Sequence, residues 1–212
     1  MIKRELYMNR IRPFIGGELI KVMTGIRRSG KSVMLELIKE ELAEAGVAPS
    51  QMISINFEDM RYSHLQTATA LHDEIIKRAE GIEGKAYLFF DEIQEVEGWE
   101  KCVNSLRVAL DCDIYITGSN AKLLSGELAT YIGGRYVEFV IYPFSFAEFL
   151  ELYHTIAPSD SIQQCFQKYL LAGGMPYLAN LRYEEEPSRQ YLTDLFNSCL
   201  LYTSPSPRDT ER

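Results

Sequence analysis

Short apolar runs alternate along the chain with stretches whose apolar residues recur every three or four positions. The runs Leu19–Thr24, Met52–Phe57, Ala86–Phe90, Asp113–Thr117 and Tyr136–Tyr142 have strand length and are rich in Ile, Val, Phe or Tyr. The periodic stretches predict helices over Val33–Ala45, Ala68–Glu80, Trp99–Leu110 and Ala121–Ile132. In the first of these, Leu35, Ile38 and Leu42 share one face, and Gly46 stops the helix. Strands and helices in strict alternation point to a parallel sheet covered by helices on both faces, an α/β fold. Beyond Pro143 the pattern is helical only, over Phe146–Tyr153, Ile162–Leu171 and Pro187–Leu200. The expected organisation is therefore a five-stranded core over residues 1–143 followed by a helical region over 144–197. The last residues, 198–212, abandon the pattern and resemble the translated read-through of a sequencing adapter, so the natural protein is expected to continue past about Asn197.

Composition narrows the class without naming a function. Of 212 residues, 22 are Lys or Arg and 30 are Asp or Glu, giving a formal net charge of −8. That balance works against non-specific binding to nucleic acid, which requires clustered cations. The basic start, with Lys3, Arg4, Arg10 and Arg12, is read as a solvated segment, with contact to nucleic acid as the alternative. Cys102, Cys112, Cys165 and Cys199 form no C-x-x-C pair, and His64, His72 and His154 share no metal-ligand spacing. Free thiols, the lack of an apolar leader in the first residues, and runs shorter than the roughly 18 residues of a membrane span make the cytoplasm the expected compartment.

The chemistry is concentrated at strand ends. Gly25-Ile26-Arg27-Arg28-Ser29-Gly30-Lys31-Ser32 fits G-x-x-x-x-G-K-[ST] between a predicted strand and a predicted helix. Such a loop wraps a phosphate with backbone N–H groups, the following helix adds its positive end, and Val33 continues the cradle. Lys31 then reaches the terminal phosphates and Ser32 is a ligand for Mg²⁺. In Tyr87-Leu88-Phe89-Phe90-Asp91-Glu92 an apolar strand ends in two carboxylates. Asp91 is expected to hold the metal and Glu92 to orient and deprotonate the attacking water. Thr117-Gly118-Ser119-Asn120 ends the fourth strand, and Ser119 or Asn120 is a candidate sensor of the γ-phosphate or an N-cap. Arg135, before the fifth strand, reads either as a cation at a helix C-terminus or as an arginine finger acting across an oligomer interface. Asn56, at the end of the second strand near the same edge, is read as a cap or a solvated residue.

These landmarks, together with Gly134-Arg135-Tyr136, Phe144 to Phe149 and Gly173-Gly174-Met175-Pro176, resemble the AAA-type ATPase family of bacteria and archaea that joins a P-loop domain to a C-terminal domain of unknown function. The similarity covers about Arg10 to Asn197. It implies a P-loop NTPase fold with strand order 5-1-4-3-2 and ATP rather than GTP as the nucleotide. It carries over the roles of Lys31, Ser32, Asp91 and Glu92, and it makes Asn56 a candidate restraint on Glu92. The expected activity is Mg²⁺-dependent ATP hydrolysis coupled to an unknown protein or DNA client, in a homo-oligomer if the Arg135 finger holds, with no membrane partner. The alternative is a nucleotide-gated switch with little turnover. A small-molecule kinase lacks a visible acceptor or lid motif.

Overall fold

The computed structural model describes residues 2–118 and 132–198. The expected helix over Ala121–Ile132 lies almost wholly outside them, as do Ser119, Asn120, Cys199 and the tail. Two compact units are present, one formed by Lys3–Gly25 and Lys31–Ile141, the other by Ile2, Ile26–Gly30 and the chain from Tyr142 on.

The first unit is a parallel five-stranded sheet with β1 (Ile20–Thr24), β2 (Met52–Asn56), β3 (Ala86–Asp91), β4 (Cys112–Thr117) and β5 (Tyr136–Val140). Its order is β2-β3-β4-β1-β5, which is 5-1-4-3-2 read from the other edge. Successive side chains on each strand enter opposite cores. Leu88 and Phe90 of β3, with Ile114 and Ile116 of β4, pack against Leu71, Ile75, Val103 and Leu106 of α3 (Ala68–Ala79) and α4 (Trp99–Ala109). Phe89 and Tyr115 stack at 4.8 Å on the other face, where Met34, Leu35, Ile38 and Leu42 join them from α2 (Lys31–Glu44).

That second core corrects the reading of the N-terminus. Glu5–Ile11 is a helix, α1, and it buries Tyr7, Met8 and Ile11 in the same cluster as α2. Lys3 and Arg10 are exposed, as a solvated segment requires, but Arg4 and Arg12 are structural. Arg4 is 2% exposed and lies over the Tyr7 ring. Arg12 is held by Glu5 at 2.8 Å and by Glu41 of α2 at 2.8 Å.

A charged pair crosses the middle of the sheet. Lys21 of β1 and Asp113 of β4 are both 0% exposed and form an ion pair. Asp113 also accepts from the Gly16 N–H at 2.7 Å and from the Tyr115 hydroxyl at 2.7 Å, while Lys21 Nζ donates to Gly17 O at 3.2 Å. Burial pushes the Lys21 ammonium below the ordinary lysine range, against the pull of Asp113.

The second unit contains α5 (Phe146–Tyr153), α6 (Ile162–Ala172) and α7 (Glu185–Phe196). Ser145 with Glu148, and Ser161 with Gln164, form capping boxes at the starts of α5 and α6. The core is aromatic, with Phe149 4.9 Å from Tyr183 and 5.1 Å from Tyr153, ring centre to ring centre. Gly174 is required by close approach: a Cβ there would sit 2.0 Å from Phe144 O, and its own carbonyl accepts from Phe144 N–H at 2.7 Å.

Candidate functional site

β1 ends at Thr24, whose hydroxyl donates to Glu138 Oε1 on β5 at 2.6 Å, and the Thr24 carbonyl accepts from Ile141 N–H at 2.7 Å. The chain then turns sharply. Gly25 and Gly30 have φ of 141° and 101°, conformations that a side chain would strain. Between them, Ser29 N–H closes a turn onto Ile26 O at 3.2 Å, and Arg28 adopts a left-handed φ of 64° without being glycine. Ile26, Arg27 and Arg28 are exposed, and Ser29 is buried. Lys31 opens α2 directly after the second glycine.

Lys31 is 5% exposed. Its Nζ donates to Gly25 O at 3.4 Å and lies 3.8 Å from Glu92 Oε1. Asp91 is the last residue of β3 and is buried, and its carboxylate accepts from the Thr117 hydroxyl at the end of β4. Glu92 follows in a left-handed conformation, φ 55° and ψ 48°. Its N–H donates to Thr117 Oγ1 at 3.0 Å. Its Oε2 accepts from Gln94 Nε2 at 2.5 Å. A buried ammonium and two neighbouring carboxylates, Lys31, Asp91 and Glu92, are therefore gathered at the carboxyl edge of the sheet, where ligands bind in α/β folds.

The donor set fits Mg²⁺ held together with phosphates. Asp91 and the Ser32 hydroxyl, exposed in the first turn of α2, are hard oxygen ligands, and Mg²⁺ keeps waters and phosphate oxygens for its remaining positions. Among the described residues no group of three or more His, Cys, Asp and Glu could hold a metal ion.

The other expected site residues have partners of their own, although Asn56 lies beside Asp91 in the sheet. Arg135 is exposed and donates to Asn104 Oδ1 of α4 at 2.9 Å. Asn56 caps its own turn, its Oδ1 accepting from Glu58 N–H at 2.9 Å, which is the capping alternative. Ser119 and Asn120 lie outside the described residues. Thr117 and Gln94 escaped the sequence reading. Thr117 had a signal, as a hydroxyl ending the strand beside the one that ends in Asp91. Gln94 had none, because its reach back to Glu92 depends on the left-handed turn between them.

A family model described as an AAA domain matches residues 18–150. The chain belongs to this AAA family. An uncharacterized protein of Haemophilus influenzae is 41% identical over 202 residues, covering 95% of this chain and 50% of the relative. One from Methanocaldococcus jannaschii is 34% identical over 189 residues, covering 84% of this chain and 41% of the relative. The chain thus spans about half the length of these curated relatives. Among solved structures, the RuvB Holliday junction branch migration motor of Thermotoga maritima aligns with a TM-score of 0.53 at 14% identity, covering 95% of this chain and 67% of that one. Orc1 of Aeropyrum pernix, in complex with DNA, gives a TM-score of 0.51 at 15% identity, covering 97% and 69%. Cdc6p of Pyrobaculum aerophilum gives 0.54 at 13% identity, covering 90% and 62%. At these identities the likeness concerns the AAA fold alone.

Proposed function

We propose that this AAA protein binds ATP with Mg²⁺ and hydrolyses it, using residues 1–143 as the ATPase core and 144–197 as an attached helical region. The observation that carries the reading is the convergence of Lys31, Asp91 and Glu92, with Lys31 Nζ 3.8 Å from Glu92 Oε1. The backbone N–H groups of Gly25 to Val33 cradle the phosphates, and Lys31 places its charge on the terminal ones. Asp91 and Ser32 hold the Mg²⁺, which when bound neutralises charge on the phosphates. Glu92 takes a proton from a water whose oxygen bonds to the γ-phosphorus, while the bridging P–O bond breaks and its electron pair leaves with ADP. Ser119 or Asn120 senses the γ-phosphate, and Arg135 serves a neighbouring copy in a homo-oligomer. The energy is spent on a protein or DNA client in the cytoplasm. Among the described residues no helix is long and apolar enough to cross a membrane.

Glu92→Gln tests this directly. It should keep affinity for an ATP analogue and slow hydrolysis at least about a hundredfold, the scale of a lost general base, whereas Lys31→Ala should abolish binding by calorimetry. Loss of both binding and turnover in Glu92→Gln would assign Glu92 to the metal or the fold instead.

A further inference from the structure

A carboxylate that serves as a base must present one chosen oxygen, and a glutamate on a strand end has three rotatable bonds with which to miss. Glu92 is fixed at both ends. Its backbone is pinned by the N–H bond to Thr117 Oγ1 at 3.0 Å, and its Oε2 is taken by the Gln94 amide at 2.5 Å. Oε1 is left as the oxygen turned toward Lys31. The donor in the Gln94 contact must be the amide nitrogen, since the carboxylate only accepts.

Gln94 gains little for itself from this placement. Its Oε1 is buried and has no hydrogen-bond partner among the described residues, and a buried amide carbonyl left in that state destabilises the fold. A residue that donates to the base while its own carbonyl goes unsatisfied is explained by the base.

We propose that Gln94 is the positioning residue of Glu92, selecting Oε1 as the oxygen that takes the proton from the attacking water. The inference rests on Glu92 acting as the base, and a double-mutant cycle separates the two. Single-turnover hydrolysis of radiolabelled ATP and calorimetric affinity for a non-hydrolysable analogue would be measured for the parent, Gln94→Met, Glu92→Gln and the double variant. Methionine keeps length and volume but cannot donate. Gln94→Met should lower turnover roughly ten- to a hundredfold, the cost of a misplaced reacting group, with analogue affinity within twofold of the parent. In the Glu92→Gln background the same change should have no further effect. Turnover of Gln94→Met within twofold of the parent, or an equal loss in both backgrounds, would overturn the inference. A Glu92→Gln variant that hydrolyses like the parent would instead overturn the base assignment. Should Gln94→Met fail to fold by circular dichroism, Gln94→Asn carries the same test, because its amide is one methylene too short to reach Oε2.

Discussion

Thr117→Val removes a single hydroxyl and leaves the shape of the side chain almost unchanged. Thr117 is 0% exposed, so no water replaces what is lost. The hydroxyl donates to the Asp91 carboxylate and accepts from Glu92 N–H at 3.0 Å. A hydrogen bond to a charged group contributes about 1.5–3 kcal/mol and a neutral one about 0.5–1.5 kcal/mol. The buried methyl that replaces the hydroxyl returns about 0.8 kcal/mol. The net cost is about 1–4 kcal/mol, a sizeable share of a typical stability of about 5–15 kcal/mol. Urea unfolding would read it as a lower midpoint at constant slope. The functional effect follows from the backbone. Glu92 occupies a left-handed conformation that costs a non-glycine residue about 1–2 kcal/mol, and the Thr117 bond is one of its restraints. Releasing it should lower turnover by a factor of about 5–30, the Boltzmann equivalent of that strain, with analogue affinity nearly unchanged. Thr117→Ser keeps the hydroxyl and should stay within about threefold of the parent. If Thr117→Val unfolds within about 0.5 kcal/mol of the parent and turns over within twofold, the hydroxyl does not organise the acidic pair.

Three other outcomes follow from features described above. Lys21→Met leaves Asp113 charged in the sheet interior and should cost about 3–5 kcal/mol in urea unfolding, most of it recovered by adding Asp113→Leu, because removing both charges also removes their desolvation penalty. Burial pushes the Cys102 thiol up to about 12 and the Cys112 thiol up to about 11. A raised thiol pKa means that the reactive thiolate is scarce until pH climbs toward those values. In a Cys199→Ser protein at pH 8, both should therefore react with a disulfide reagent at least about a hundredfold more slowly than an ordinary thiol, and equal rates would show that the burial is wrong. If Arg135 acts across an interface, mixing Arg135→Ala with Glu92→Gln subunits of the full-length protein should restore hydrolysis that neither shows alone. Continued inactivity of mixed oligomers would leave Arg135 with its Asn104 contact.

The sheet was legible because its strands are apolar on both faces, and the phosphate loop because its glycines sit at fixed spacing between a strand and a helix. Strand order came from family resemblance, since periodicity does not say which strands are neighbours. Helix α1 was hidden by its brevity and by charges that suggested a solvated start, although Ile11 follows Met8 and Tyr7 by three and four residues. The Lys21–Asp113 pair could not be seen because its members are 92 residues apart and meet only once β1 lies beside β4. Glu92 was legible as a candidate base, yet the contacts that hold it, from the hydroxyl of Thr117 and the amide of Gln94, depend on a parallel register and a left-handed turn.

That register has a consequence for how the site can fail. β3 and β4 pair with Phe90 beside Ile116 and Phe89 beside Tyr115, and one step further the same alignment sets Asp91 beside Thr117. The rings that fill the cores and the groups proposed for chemistry are thus counted from one origin. A slip of one residue would turn every ring on β3 to the wrong face and in the same movement separate Asp91 from Thr117. A chain whose strands have mispaired cannot carry a half-competent site, so a preparation should consist of molecules that are either fully competent or inert. Loss of activity on damage would then report a smaller competent fraction, and the nucleotide affinity of the survivors would stay the same.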